Sequence, residues 1–119
     1  MLTDDELESA RAVQRLLNNK QATILRSTTT PDGAGGHRTS YAVLRTVTCR
    51  MSAAGGRDAD LLAGRLSNGQ SAWRITVPAQ TDVTAADRVA VDGRTFEVLQ
   101  VLEHTNETAR VLLCMERGL

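Results

Sequence analysis

The last strand-like segment of the chain, residues 110–116, is apolar on both of its faces. Successive side chains of a strand point to opposite sides of the sheet. One face carries Val111, Leu113 and Met115, and the other carries Leu112 and Cys114. An antiparallel strand with two dry faces needs a packed interior on one side and a cover on the other. This pattern favours a closed barrel or a sandwich with another element over its outer surface.

Residues 3–18 have the pattern of an amphipathic helix, which could supply that cover. Thr3 and Glu6 form a capping box, and the acidic first turn suits the helix dipole. Apolar residues recur at spacings of three and four, as in a helix with one buried side. They are Leu7, Ala10, Val13, Leu16 and Leu17. A helix of about sixteen residues is marginal in isolation, so we expect this stripe to dock on another surface, either the barrel or a partner subunit.

Between these two ends the sequence favours short strands separated by turns. The strand-like runs are 22–26, 41–51, 73–77, 89–91, 94–102 and 110–116. Asp92-Gly93 is a strong signal for a two-residue hairpin turn. The alternation is interrupted at Arg45, which a β-bulge or a sheet edge would explain. It slips at Leu99, which a β-bulge or strong coiling of the strand would explain.

These patterns predict a mainly β fold: a small antiparallel β-barrel or sandwich of about six strands with an N-terminal α-helix and two long loops. The chain has 119 residues, enough for one ordinary domain. We divide it into an N-terminal helical segment, 1–20, and a β-domain, 21–119. The long loops are predicted at 27–40 and 52–71.

Composition argues against several classes of protein. There are 14 basic and 14 acidic residues and only 3% aromatics, which disfavours a free nucleic-acid binder. No apolar run is long enough to span a membrane, and the acidic start is unlike a signal peptide. We expect the two cysteines, Cys49 and Cys114, to be reduced and buried as small core residues.

No catalytic constellation is recognisable. The two histidines, His37 and His104, fall in predicted loops, and no Cys or His pair has the spacing of a zinc site. The glycine-rich stretch 32–36 lacks the Lys-Ser/Thr of a phosphate-binding loop. No nucleophile elbow is present. We therefore predict no catalytic residue, no metal site and no cofactor, and we do not expect an enzyme.

A series of short motifs follows in order over residues 21–116. They are Ala22-Thr23-Ile24-Leu25-Arg26, the turn Asp32–Gly36 with Tyr41 after it, Arg74-Ile75-Thr76-Val77, Thr84-Ala85-Ala86-Asp87-Arg88-Val89, Gly93-Arg94-Thr95-Phe96-Glu97-Val98, and Val111-Leu112-Leu113-Cys114-Met115-Glu116. The series resembles the siphophage head-closure proteins, also called stoppers or head–tail adaptors. The N-terminal helix is not a constant element of that family, and the family's usual tryptophan early in the second strand is absent. A related tail-completion or tail-terminator-like neck protein therefore stays open.

The resemblance implies a structural protein of the head–tail connector, made in the cytoplasm of a bacterial host and carried in the virion. Members of the family form a homo-oligomeric ring, here of twelve or six copies, which closes the DNA channel and offers the surface on which the tail docks. The implied partners are portal and adaptor proteins above, a tail terminator or tail tube below, and packaged double-stranded DNA in the channel. No membrane is involved. The alternatives are a small β-barrel nucleic-acid-binding module and a small cytoplasmic enzyme or regulator.

The family's strand order assigns the channel-closing segment to residues 52–71. The candidate gating residues are Gly55, Gly56, Arg57, Leu61, Leu62, Arg65 and Leu66. Glycines would let the segment swing, leucines could plug a lumen, and arginines could face phosphate; alternatively, the segment contacts the adaptor or the tail. Loop 27–40 is a second candidate contact, or else a solvated hairpin loop. Its candidate residues are Asp32, Gly33, His37 and Arg38.

Overall fold

The computed structural model describes residues 3–55, 72–102 and 107–117. Within these ranges the chain forms one helix and six strands. They are α1 (Asp4–Leu17), β1 (Lys20–Pro31), β2 (His37–Ala53), β3 (Ala72–Pro78), β4 (Arg88–Val91), β5 (Arg94–Leu102) and β6 (Ala109–Glu116). Every strand pair is antiparallel, and the order is β1-β2-β3-β6-β5-β4, with β4 returning to pair with β1. The mainly β prediction, with six strands and an N-terminal helix, is confirmed.

The core fills the inside of this closed sheet. Alternate side chains of the strands point inward and are almost fully buried. They include Ala22, Ile24, Cys49, Ile75, Val77, Val89, Val91, Phe96, Val98, Leu112 and Cys114. Trp73 meets Phe96 edge to face, with ring centroids 6.2 Å apart. Cys49 and Cys114 are free and buried, as expected.

The last strand does have two dry faces. Leu112 and Cys114 belong to the interior cluster, and Leu113, which points the opposite way, is also fully buried. The helix packs over the outer face of β2, β3 and β6, where it buries Leu7. The Thr3 hydroxyl accepts a hydrogen bond from the Glu6 amide at 3.2 Å, which is the cap that the sequence predicts. The helix is therefore the cover that β6 needs.

Only the first part of the apolar stripe of α1 docks on the barrel. Val13, Leu16 and Leu17 are 55%, 84% and 56% exposed. Polar contacts hold this end of the helix to the sheet instead. Arg50 donates hydrogen bonds to the Gln14 side chain and carbonyl, and the Asn18 amide donates to Thr48. Because these polar contacts fasten the second half of α1 to β2, its apolar side chains face away.

Both expected irregularities are present. The pairing of β1 with β2 shifts between Ile24 and Leu25, which leaves Leu44 as an extra residue beside Arg45. The pairing of β5 with β6 shifts at Leu99. The Asp92-Gly93 turn joins β4 to β5 with positive φ at both residues, as a tight hairpin turn of this type requires.

The predicted loop 27–40 is largely strand, which corrects the domain description. Residues 27–31 and 37–40 pair with each other, and only 32–36 form the turn. The threonine run is the physical reason, because β-branched residues favour extended backbone even when both faces are solvated. Of the other predicted loop, residues 52–53 belong to β2 and 56–71 lie outside the described residues.

Candidate assembly surfaces

The hairpin of β1 and β2 extends well beyond the barrel. Strand β4 pairs with β1 only at 23–25, and β3 pairs with β2 only at 50–53. Residues 26–31 and 37–44, joined by the turn 32–36, form a two-stranded arm that we name the distal ribbon. Every residue from 27 to 40 is exposed. Six residues of strand make the ribbon about 20 Å long at about 3.3 Å per residue.

Asp32 and Gly33, two of the predicted contact residues, build the turn at the tip. The Asp32 carboxylate accepts hydrogen bonds from the amides of Ala34 at 2.8 Å and Gly36 at 3.1 Å. The Asp32 amide donates to the Gly36 carbonyl at 3.1 Å. Gly33 has a φ of +83°, which side chains with a Cβ rarely adopt. These contacts account for the Asp-Gly-x-Gly-Gly sequence as turn chemistry.

His37 and Arg38, the other two predicted contact residues, begin β2. His37 lies opposite Pro31 and Arg38 lies opposite Thr30, and both side chains are exposed. The structure thus brings all four predicted residues together at the tip of the distal ribbon.

A group of ionic side chains fixes the base of the ribbon to the barrel, and we name Arg26, Arg45, Asp82 and Asp87 the anchor cluster. The Arg26 guanidinium donates to both oxygens of Asp87, at 3.0 and 3.2 Å, and to Asp82 at 3.1 Å. Arg45 lies 3.9 Å from Asp82. The hydrogen bonds from Arg26 hold the pKa of Asp82 below its usual value. Because Arg26 and Arg45 belong to the two strands of the hairpin, the cluster ties both to the connection between β3 and β4.

The inner member of the cluster, Asp87, is only 4% exposed. It accepts a further hydrogen bond from the Thr84 amide at 2.9 Å, so it also shapes the turn before β4. Close by, the Arg88 guanidinium lies 3.9 Å from the centroid of the Tyr41 ring, a cation–π contact between β4 and the ribbon.

Sequence reasoning missed the anchor cluster. Arg26 and Asp87 are 61 positions apart, so no local pattern connects them. One signal was available. Ala22, Ile24 and Arg26 are alternate residues of one strand, so their side chains lie on the same, inward face. A charged residue in the third of these positions indicates where the barrel interior ends.

The chain leaves the barrel for the predicted gating segment at the end opposite the ribbon. Strand β2 ends at Ala53, and the Ala54 amide donates to the Ala72 carbonyl at 3.1 Å, so the exit and the re-entry are adjacent. Gly55 is exposed. The other candidate gating residues lie outside the described residues: Gly56, Arg57, Leu61, Leu62, Arg65 and Leu66.

Aromatic and ionic side chains close this end of the barrel. Arg94 donates to both carboxylate oxygens of Glu116, at 2.6 and 2.8 Å, which holds the pKa of Glu116 below its usual value. The same guanidinium lies 4.6 Å from the Trp73 ring centroid. Lys20 pairs with Asp92 at the start of β1.

The protein therefore has two different ends. Strand β2 alone has 17 residues, so the ribbon tip and the exit after Ala53 lie about 50 Å apart at about 3.3 Å per residue. Among residues 3–55, 72–102 and 107–117, no group of His, Cys, Asp or Glu side chains could hold a metal ion. Over the same ranges, no helix is long and apolar enough to cross a membrane.

Comparison with protein families shows which family this chain belongs to. A model of the phage head completion proteins matches residues 17–117. The chain belongs to this family. Phage head completion proteins are structural components of the virion, and the resemblance found in the sequence motifs is thereby confirmed. The match begins at the last residue of α1, so most of the helix lies outside it.

Solved structures share the fold of this head completion protein. The solution structure of protein SF1141 from Shigella flexneri 2a superposes with a TM-score of 0.67 at 22% identity, covering 83% of this chain and 92% of that one. A chain in the virion of a native gene transfer agent particle gives a TM-score of 0.54 at 24% identity, covering 84% and 93%. No curated protein matches the chain.

Proposed function

We propose that this head completion protein forms a ring in the head–tail connector of a tailed phage, below the portal and its adaptor. The ring closes the DNA channel after packaging and gives the tail its docking surface. Family membership supports the place in the virion. A gene transfer agent virion contains a chain of the same fold, which agrees with that place.

The observation that carries the proposal is the separation of the two ends of the barrel. A connector subunit must meet one set of proteins towards the head and another towards the tail. The distal ribbon and the exit after Ala53 are at opposite ends of β2, and they differ in sequence and charge. In a ring, each subunit also presents one side to the neighbour before it and a different side to the neighbour after it.

Channel closure is assigned to the segment between Gly55 and Ala72. Repeated around the axis, Leu61, Leu62 and Leu66 would give a ring of apolar side chains at the lumen. Arg57 and Arg65 would face DNA phosphate, which arginine binds through its fork of donors. The hydrogen bond between Ala54 and Ala72 joins the two ends of the segment, so the segment can swing without opening the barrel.

This assignment can be tested by deleting residues 57–66. Seven residues would then remain between Ala54 and Ala72, enough to join two positions that are already hydrogen-bonded to each other. We expect the deletion variant to fold and to enter particles, and the filled heads to lose their DNA. A control variant keeps the length but replaces 57–66 with glycine and serine, and it should leak as well.

DNA retention at the normal level in both variants would contradict the gate. Substitution of Leu61, Leu62 and Leu66 together by serine separates the apolar plug from the arginines. Leakage in that variant, with Arg57 and Arg65 intact, assigns closure to the leucines.

A further inference from the structure

The distal ribbon has two strand edges that no other described strand pairs with. In β1, residues 26–31 lie beyond the pairing with β4, and in β2, residues 37–49 lie before the pairing with β3. Such edges present backbone amides and carbonyls that are ready to accept another strand. Charged side chains, prolines and β-bulges commonly protect such edges. The β2 edge carries Arg38, Arg45 and the bulge at Leu44, but residues 39–43 between them have no charge, proline or bulge. The β1 edge has Arg26 at its base and a proline only at its last position, Pro31.

The ribbon has little to stabilise it within one subunit. A two-stranded hairpin is marginal at best in water. No residue from 27 to 40 is buried, and the ribbon exposes Val43 and Leu44 near its base, at 66% and 37%. The anchor cluster nevertheless holds the base of the ribbon in a fixed direction, so the edges are presented in a defined orientation.

We propose that the distal ribbons of neighbouring copies pair edge to edge, β2 of one copy with β1 of the next, in one continuous intersubunit sheet. This inference rests on the proposed ring. The direction of the strands favours a second copy as the partner. In a ring, copies are related by rotation about one axis, so β1 runs in the same direction along that axis in every copy. Because β2 runs opposite to β1, the new pair is antiparallel, like every pair inside the subunit.

The two edges also match in length. The unpaired part of β1 has six residues, and the β2 edge is long enough to accept all of them. The contact is heterologous, because the β1 edge of one copy meets the β2 edge of another, and this is the kind of contact that closes a ring. A twofold dimer would instead pair like edges, β2 with β2.

One such contact is small. Six residues of strand bury far less than the roughly 1,200–2,000 Å² of a stable protein–protein interface. The pairing therefore depends on many copies being held around one axis, and we expect it in the assembled connector rather than between free subunits.

Two single-cysteine variants test the pairing in particles. The Thr28 and Ser40 side chains lie on the same face, with their hydroxyls 3.1 Å apart within one hairpin. T28C places a thiol on β1, and S40C places one on β2. Particles are assembled from cells that express both variants together, or either one alone, and are then oxidised, so that disulfides form only between thiols on directly neighbouring strands. The native Cys49 and Cys114 are buried and should not react.

We expect a cross-linked dimer when T28C and S40C are co-expressed, and its loss when either is expressed alone. V43K, combined with the same cysteines, should reduce the cross-link, because a charge on an edge strand opposes strand addition. L16K is the matched control: Leu16 is also apolar and exposed, but it lies on α1, so the cross-link should persist.

The outcomes separate this proposal from the proposed function. Particles that contain both variants and retain DNA, yet give no mixed dimer, would overturn ribbon pairing and leave the ring intact. A dimer from S40C alone would also overturn it, in favour of twofold pairing of β2. Absence of the protein from particles would remove the ring itself.

Discussion

Strands β1 and β2 are each divided into a part inside the barrel and a part in the distal ribbon, and the two parts follow different rules. In the barrel, Ala22, Ile24 and Cys49 are fully buried and alternate with half-buried or exposed neighbours. In the ribbon, the same two strands pair over several more residues with nothing buried from 27 to 40. Backbone pairing thus continues where side-chain packing stops. The comparison teaches that the free energy of folding resides in the barrel, while the ribbon is available for contacts.

The largest expected difference between the two regions concerns packing. Phe96 is fully buried against Trp73, so F96A should lower the free energy of unfolding by about 3–5 kcal/mol. V43A, in the ribbon, should change it by less than about 0.5 kcal/mol because Val43 is already in solvent. Urea unfolding followed by tryptophan fluorescence measures both variants. Equal losses would mean that the ribbon contributes to the core.

The junction between the two regions should give an intermediate effect. D87A removes the acceptor of two Arg26 hydrogen bonds and of the Thr84 amide, and it should destabilise the protein by about 2 kcal/mol. Hydrogen exchange should also accelerate in residues 26–31, because the base of the ribbon loses its attachment.

D82A is the control at the same junction. Asp82 is about half exposed, so its loss should have a smaller effect than the loss of Asp87. If D82A lowered the free energy of unfolding more than D87A does, the burial of Asp87 would not explain how the anchor cluster stabilises the protein.

Acid should weaken the ionic contacts at both ends of the barrel. The pKa of Asp82 is lowered by Arg26, and that of Glu116 is lowered by Arg94. A carboxyl whose pKa is lower in the folded state stabilises that state at neutral pH, and this stabilisation is lost as the pH falls through the folded-state pKa. We therefore expect the unfolding free energy to decrease below about pH 4. D82N with E116Q should flatten this dependence, and an unchanged slope in that variant would contradict the assignment.

Thiol labelling perturbs the protein least, and it should distinguish the buried cysteines of the barrel from a cysteine placed in the ribbon. Burial raises the pKa of Cys49 to about 11, and it raises the pKa of Cys114 as well. At pH 8 neither thiol should react with a thiol reagent in the folded protein, whereas S40C in the ribbon should react at once. Rapid labelling of Cys49 without denaturant would show that the barrel opens readily.

The same contrast explains what the sequence could and could not predict. In the barrel, burial imposes alternation, so β3, β5 and β6 and the slip at Leu99 could be predicted from apolar periodicity. In the ribbon nothing is buried from 27 to 40, so these residues show no apolar alternation, and the turn signals around Asp32 and Gly33 suggested a loop. The threonine run favours an extended backbone, and pairing across the hairpin completes the two strands.

The anchor cluster and the exposed end of α1 show the other limit of the sequence. The contact between Arg26 and Asp87 joins positions 61 residues apart, and only the fold brings them together. The apolar stripe of the helix predicted that Leu16 and Leu17 dock on another surface, but not on which one. Polar contacts from Gln14 and Asn18 hold this end of the helix to β2, and both leucines are exposed in the single chain.

We propose that copies of this protein form a ring in the connector, with the two ends of each barrel facing different neighbours. Imaging of the neck of DNA-filled particles by electron cryomicroscopy, with symmetry imposed only after the ring is located, tests it directly. We expect a closed ring of copies between portal and tail, each showing the ribbon at one end and the exit after Ala53 at the other. Mature particles whose neck contains no copy of the chain would contradict it.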